Sequence, residues 1–272
     1  FKMFMPEDRI LVAVSGGKDS LALWHILLTL GYRADALYVN LGIGAYSEES
    51  HRKVRHYADT VAAAHGAKLI VHVVEQEAGA GIRELATVLH RPTCSTCGTI
   101  KRYQFNRAAV EQDYDVMATG HNLDDEAARL LGNVLHWQEE YLDKQSPTLP
   151  ASVEGFAKKV KPLCRLSERE IAAYAVVNRI DYIVEECPMA KGSKMILYKE
   201  VLNRLETESP GTKQRFYWGF LEKQTKPEPA NESMAEKDQR TLHPCTTCGQ
   251  PTTAEICTYC KMMAKAKTAT PR

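Results

Sequence analysis

The chain has no long apolar run and almost no net charge, and both absences narrow its class. Its 272 residues are 44% hydrophobic and 25% charged, the balance of a soluble globular protein. No apolar stretch approaches the roughly 20 residues a membrane span needs, and no signal peptide is visible in these residues. Phe1 already sits in what reads as the approach to a first strand, so the natural start is expected upstream. With 35 Lys+Arg against 34 Asp+Glu the formal charge is +1, so bulk electrostatics neither demands nor excludes a nucleic-acid partner. Basic residues do gather at Lys158, Lys159, Lys161 and Arg165, and in the tail at Lys261, Lys265, Lys267 and Arg272. Taken singly, each reads as solvated surface. There is no internal repeat. Secretory features are lacking, so the eight cysteines, six of them in C-x-x-C pairs, point to metal or redox chemistry in a reducing, cytoplasmic compartment rather than to disulfides.

What the sequence does hold is organised around Val12-Ala13-Val14-Ser15-Gly16-Gly17-Lys18-Asp19-Ser20. Residues 10–14 read as a buried strand, which stops at two glycines before residues 21–28 start a helix. A glycine turn between strand and helix aims free backbone N–H groups at one point. The helix dipole adds to that field, so the turn suits an anion, most often phosphate. Lys18 brings a mobile positive charge, and Ser15 and Ser20 bring hydroxyls. The turn is shorter than the G-x-x-x-x-G-K-S/T loop of the common NTPases and carries Asp19, which that loop lacks. Its S-G-G-x-D-S pattern resembles the PP-loop ATP pyrophosphatases, which cut ATP between its α and β phosphates. That resemblance implies nucleotide contacts along Ala13, Val14, Ser15, Gly16, Gly17, Lys18, Asp19 and Ser20.

Further strands are expected at 36–40, 68–74 and 115–119. Between them, Gly31 ends the first helix, Ser47-Glu48-Glu49 caps a helix running towards Gly66, and Ile82, Leu85 and Leu89 mark another. The next helix is expected from about Cys97-Gly98, and one over 124–131 follows Gly120-His121-Asn122. This alternation predicts an α/β fold, a parallel sheet with helices on both faces and ligands at the carboxyl ends of the strands. Beyond residue 140 the alternation loosens. Residues 160–163 and 182–184 read as short strands, Ser167-Glu168-Arg169-Glu170 as a capping box opening a helix to Asn178, and 195–206 and 213–223 as helices. Residues 224–243 are polar, with two prolines and no apolar period, and read as a linker. The expected organisation is a catalytic domain over 1–223, that linker, and a small module with a basic tail over 244–272.

Cys245-x-x-Cys248 and Cys257-x-x-Cys260, eight residues apart, make two thiolate knuckles with the spacing of a tetrahedral zinc site, with disulfides or an iron–sulfur site as alternatives, and Gly249 and Pro251 favour the tight turn. A module so small cannot bury a core, so the metal would hold it together. Cys94-Ser95-Thr96-Cys97 has no second pair nearby. It reads as a sulfur-relaying dithiol, as two ligands of a metal centre completed by Cys187 or Cys164, or as a half-buried structural pair. Cys164 has apolar surroundings in sequence and reads as an inert buried thiol.

Four segments in order, Ser15-Gly16-Gly17-Lys18-Asp19-Ser20, Cys94-Ser95-Thr96-Cys97-Gly98, Thr119-Gly120-His121-Asn122-Leu123-Asp124-Asp125-Glu126-Ala127 and Glu186-Cys187-Pro188, resemble the TtcA/TtuA family of tRNA 2-thiolation enzymes. The terminal C-x-x-C-G-x-P-T…C-x-x-C resembles the TtuA branch, in which a second zinc module precedes the catalytic domain; it is absent from residues 1–272, as expected if the natural start lies upstream of Phe1. The resemblance implies a 4Fe–4S cluster on Cys94, Cys97 and Cys187, with Lys101 and Asp125 at the catalytic centre. Read alone, Lys101 is a solvated helix charge and Asp125 a first-turn acid. The resemblance further implies ATP with Mg²⁺ at the 15–20 turn, adenine near Val39, and Gly120 beside the nucleotide. In the implied chemistry the O2 of a tRNA uridine attacks the α-phosphorus, and sulfur then replaces AMP at C2. Lys101 would stabilise phosphate charge, and Asp125 would position metal or take a proton. Position 54 of the T-loop is the expected site, with wobble position 34, or a small metabolite in place of tRNA, as alternatives. A ubiquitin-like carrier with a C-terminal thiocarboxylate and a second copy of the chain are the implied partners.

Overall fold

In the computed structural model residues 1–190, 192–225 and 242–269 are described. Most of the linker expected over 224–243, and Arg272 of the tail, lie outside the described residues. One sheet is built from β1 (Arg9–Val14), β2 (Arg33–Asn40), β3 (Leu69–Val73), β4 (Val116–Thr119), β5 (Thr148–Leu149) and β6 (Lys158–Val160), in the order β3-β2-β1-β4-β6-β5. Every neighbouring pair is parallel except the edge pair β5–β6. The helices are α1 (Lys18–Thr29), α2 (Gly44–Thr60), α3 (Val74–Ala78), α4 (Ile82–Val88), α5 (Thr93–Glu111), α6 (Leu123–Leu135), α7 (Glu139–Leu142), α8 (Glu168–Val177), α9 (Lys194–Glu208) and α10 (Thr212–Thr225). A two-stranded ribbon, β7 (His243–Pro244) and β8 (Pro251–Thr252), then leads to α11 (Thr258–Ala269).

Alternation along the strands sorts the core into two layers. Ile10, Val12 and Val14 face α1, α2 and α8 through Leu21, Trp24, Val54, Tyr57 and Ile171. Leu11, Leu37, Val39 and Met117 face the other way, onto Val74, Ile82, Leu85, Ile100 and Met262. Both faces are dry, which is why these strands are nearly continuous apolar runs. Fully buried Trp24 keeps its indole N–H satisfied on the Ala34 carbonyl at 2.8 Å. The strand order reverses direction between β1 and β4, so their carboxyl ends open a crevice there, and the 15–20 turn lies in it.

Several boundaries differ from the sequence reading. Helix α2 begins at Gly44, and Ser47 lies inside it; its hydroxyl reaches back to accept the Ile43 N–H at 2.8 Å. Helix α5 begins at Thr93 rather than near Cys97, because Pro92 sets the helix entrance with φ −56° and Thr96 bonds back to its carbonyl. Both cysteines of the pair therefore sit in the first turns of a helix. Strand β6 stops at Val160, ahead of Pro162, and Leu163 falls in the turn beyond it. Residues 182–184 form no strand; instead the Ile183 N–H donates to the Gly16 carbonyl at 2.9 Å. The Ser167/Glu170 capping box forms as expected.

The terminal ribbon docks on α5. The rings of Tyr103 and Tyr259 stack with centroids 3.6 Å apart and 6° between planes, and the Asn106 amide donates to Gln250 at 2.6 Å. Among the described residues no helix is long and apolar enough to cross a membrane. Replacing Tyr259 with Ala should loosen this docking at a cost of about 3 kcal/mol. Amide exchange should then rise in α11 and stay unchanged in β1–β4.

Candidate active site and cysteine centres

The phosphate turn is fixed by its own polar atoms. Ser20 Oγ accepts the Ser15 N–H at 3.0 Å and donates to the Gly17 carbonyl at 3.0 Å. Gly16 adopts φ +81°, and a Cβ there would lie 2.8 Å from the Ser50 carbonyl oxygen, so only glycine fits. Gly17 caps α1 without any side-chain hydrogen bond, leaving the first N–H groups of the helix available to an incoming anion. From the other side Gly120 presses on the loop: a Cβ there would be 2.9 Å from both Asp19 C and Ser20 N.

A cavity of about 380 Å³ opens over this turn. Of the residues expected to hold nucleotide, Ala13, Val14, Ser15, Gly17, Asp19, Ser20, Val39, Lys101, Gly120 and Asp125 line it. Gly16 and Lys18 do not. The Lys18 ammonium instead pairs with Glu168 at 2.6 Å and with Asp19 at 3.1 Å. Tyr38, Leu41, Tyr46 and Phe105 supply apolar walls. Lys101, on α5, and Asp125, on α6, thus line one cavity over the turn although they belong to opposite sides of the β4 strand in sequence.

Asp125 sits at N3 of α6, inside a capping box with Asn122. Burial works against its charge. Lys199 at 2.6 Å and neighbouring His121 outweigh that, so its carboxyl stays below the usual aspartate range and is ionised. Lys199 also reaches Glu168 at 3.2 Å. Its own pKa is raised, the two carboxylates overcoming burial. Asp19 titrates above the ordinary aspartate value because burial outweighs Lys18. Burial lowers the His121 pKa against the pull of Asp125, and its Nδ1 lies 2.8 Å from Thr119 Oγ1.

At the rim of the cavity, Cys94 and Cys97 on α5 lie within electrostatic reach of Cys187, which precedes a single 3₁₀ turn at Pro188–Ala190. Cys94 Sγ donates to the Met189 carbonyl at 3.4 Å, and all three thiols are free of disulfides. Burial pushes the Cys97 thiol up, Lys101 pulls it back, and Cys187 and Cys94 push it further. Tyr46, in the cavity wall, feels both Cys187 and Cys97. Three soft thiols suit an iron–sulfur centre better than a hard cation.

Cys245, Cys248, Cys257 and Cys260 place their sulfurs within 4.8 Å of one another. Cys248 and Cys257 are 3.7 Å apart, close to the roughly 3.8 Å edge of a tetrahedron with metal–sulfur bonds of about 2.3 Å. The Cys257 N–H donates to Cys245 Sγ at 3.2 Å, and against burial such N–H donors bring the Cys245 thiol down to about 6. The donor set fits a single tetrahedral ion. Cys164 is 1% exposed and raised to about 11 by burial first and Glu126 second, an inert thiol.

Residues 1–192 match the family model of the PP-loop domain. The chain is 48% identical to the tRNA-5-methyluridine(54) 2-sulfurtransferase of Thermus thermophilus over 96% of its own length and 78% of that protein's. It is 44% identical to the protein of the same name from Pyrococcus horikoshii, over 98% of this chain and 82% of that one. The chain belongs to this PP-loop sulfurtransferase family. Among solved structures, the U34-tRNA thiolase NcsA from Methanococcus maripaludis, solved with its 4Fe–4S cluster, aligns with a TM-score of 0.77 at 24% identity. The alignment covers 96% of this chain and 82% of that one, a likeness of fold.

Within this sulfurtransferase fold, three contributors escape sequence reasoning: Lys199, Glu168 and Tyr46. The Glu168 signal, a capping-box helix start, reads as local structure, and Lys199 looks like any exposed charge on an amphipathic helix. Tyr46 precedes Ser47 and carries no motif. Gly120→Ala should overpack the loop by about 1–3 kcal/mol. ATP binding measured by calorimetry should then weaken about tenfold or more, with a far-UV circular dichroism spectrum like that of the unaltered protein.

Proposed function

We propose that this protein thiolates tRNA uridine at C2, at position 54 of the T-loop, activating the base with ATP. The observation that carries the reading is the convergence of the phosphate turn, Lys101, Asp125 and the thiols of Cys94, Cys97 and Cys187 on one cavity and its rim. The names carried by relatives at 48% and 44% identity support position 54 over position 34.

The triphosphate lies over the free N–H groups of the 15–20 turn with Mg²⁺, and the adenine packs near Val39 between Tyr38 and Leu41. Uridine O2 attacks the α-phosphorus. The O2–P bond forms, the bond to pyrophosphate breaks, and Asp125, ionised in its capping box, takes the N3 proton of the base. Lys101 stabilises the charge that builds on the α-phosphate. A poor oxygen leaving group is thereby turned into AMP, which a sulfur nucleophile displaces at C2. Cys94, Cys97 and Cys187 would hold a 4Fe–4S cluster, which would supply iron to bind that sulfur. Residues 1–223 form the catalytic unit, and residues 244–272 the four-cysteine module, which holds zinc. A carrier protein ending in a thiocarboxylate delivers the sulfur, the enzyme works as a homodimer, and the cytoplasm is its compartment.

Incubated anaerobically with tRNA, ATP and sulfide after cluster reconstitution, the protein should yield 2-thiolated uridine at position 54 in nucleoside mass spectrometry. Thiolation confined to position 34, or absent, would refute the assignment. Cys187→Ser should abolish thiolation and the visible absorption of the cluster, with ATP affinity changed less than about threefold.

A further inference from the structure

The polar contacts around the phosphate turn close into a ring. Lys18 Nζ bonds Glu168 Oε1 at 2.6 Å, Glu168 Oε2 meets Lys199 Nζ at 3.2 Å, and Lys199 Nζ meets Asp125 Oδ1 at 2.6 Å. Asp125 Oδ2 accepts the Asn122 N–H at 3.1 Å, the Asn122 amide donates to Asp19 Oδ1 at 3.1 Å, and Asp19 Oδ2 returns to Lys18 at 3.1 Å. Four elements contribute: α1, α8, α9 and the start of α6. We propose that Lys199 is a positioning residue that sets Asp125 for the reaction, and that Glu168 relays to it whether Lys18 has engaged a nucleotide.

The chemistry of the ring dictates the direction. In the structure Lys18 faces two carboxylates and lies outside the cavity lining, so a triphosphate arriving on the turn competes with Glu168 and Asp19 for its ammonium. Once Lys18 turns to the phosphates, Glu168 is left with Lys199 alone and draws it away from Asp125 Oδ1. Asp125 Oδ1 is then freed for the base, its other oxygen stays fixed by the Asn122 N–H, and Lys199, still in the ring, keeps the buried carboxyl ionised. Asp125 is faced by Lys199 from α9, His121 from the preceding turn and Asp19 from α1, with Lys101 of α5 in the same cavity; Lys213 of α10 is turned to Asp124. Lys199 is therefore the cation whose movement governs that carboxylate. This inference rests on the proposed activation of a base with ATP.

The test uses the reconstituted full chain, with steady-state AMP formation over a range of ATP concentrations in the presence of tRNA. Lys199→Met should lower kcat about tenfold or more and change the KM for ATP less than about threefold, and Lys199→Arg should restore most of kcat. Glu168→Gln should lower kcat similarly, and the double variant Glu168→Gln/Lys199→Met should be no slower than the worse single variant within about threefold. Multiplying effects would make the two residues independent, and a KM that rises as far as kcat falls would make Lys199 a nucleotide contact; either overturns the proposal. A second arm needs no turnover. Glu168→Gln frees Lys18 from a competitor, so a non-hydrolysable ATP analogue should bind more tightly, by about threefold or more. Unchanged or weaker affinity sinks the relay whatever product the enzyme makes, whereas absent AMP formation by the unaltered protein with tRNA sinks the substrate assignment and leaves this arm to judge the ring.

Discussion

Three consecutive carboxylates at the start of α6 each take a lysine from a different later segment. Asp124 pairs with Lys213 of α10, Asp125 with Lys199 of α9, and Glu126 with Lys161 just beyond β6. Successive helical residues point about 100° apart, so a run of three acids in one turn reaches in three directions. Asp124 also accepts the Glu168 N–H at 2.8 Å, tying α8 to the same turn. Glu126 is fully buried, so removing Lys161 would strand a carboxylate in the core. The second half of the chain, where strand–helix alternation fades, is tied to the start of α6 by these pairs alongside the apolar clusters of Leu123, Leu130, Leu202 and Tyr217.

Such pairs are a poor source of net stability, because desolvation consumes most of the Coulombic gain. What they do fix is geometry. Gly120 lets the β4–α6 turn approach the Asp19–Ser20 backbone closely, which brings Asn122 within reach of Asp19 and sets Asp125 against the cavity. A side chain at Gly120 would push the α6 start away, and the ion pairs would lose their register together with the phosphate turn.

Where the sequence was informative, the signal was local. A strand, two glycines, a lysine and a helix lie within a dozen residues, and the physics of that turn can be read without any tertiary contact. The four-cysteine spacing is equally local, because ligand geometry constrains residues three apart. Lys199 and Glu168 show the opposite limit: Glu168 meets Lys18 across 150 residues, and a lone charge on a helix gives no sign of such a partner. The basic tail was legible only in part. Lys261, Lys265 and Lys267 are exposed, but Met262, Met263 and Ala266 between them are buried, so the stretch is one face of α11 packed on the core.

Helix α5 joins the two cysteine centres. Its first turns carry Cys94, Cys97 and Lys101, and Lys101 and Phe105, one turn apart, face the cavity. On its other side Tyr103 stacks on Tyr259, Gln104 donates to the Tyr259 hydroxyl at 3.1 Å and to Glu77 at 2.8 Å, and Asn106 holds Gln250. The terminal ribbon contributes only two short strands and one helix, too little to order itself by apolar burial alone. Four thiols closing on one ion would give it the rigidity to serve as a brace. That brace presses on the far side of the helix that brings three catalytic candidates to the cavity, so the module's distance from the phosphate turn does not make it irrelevant to the chemistry.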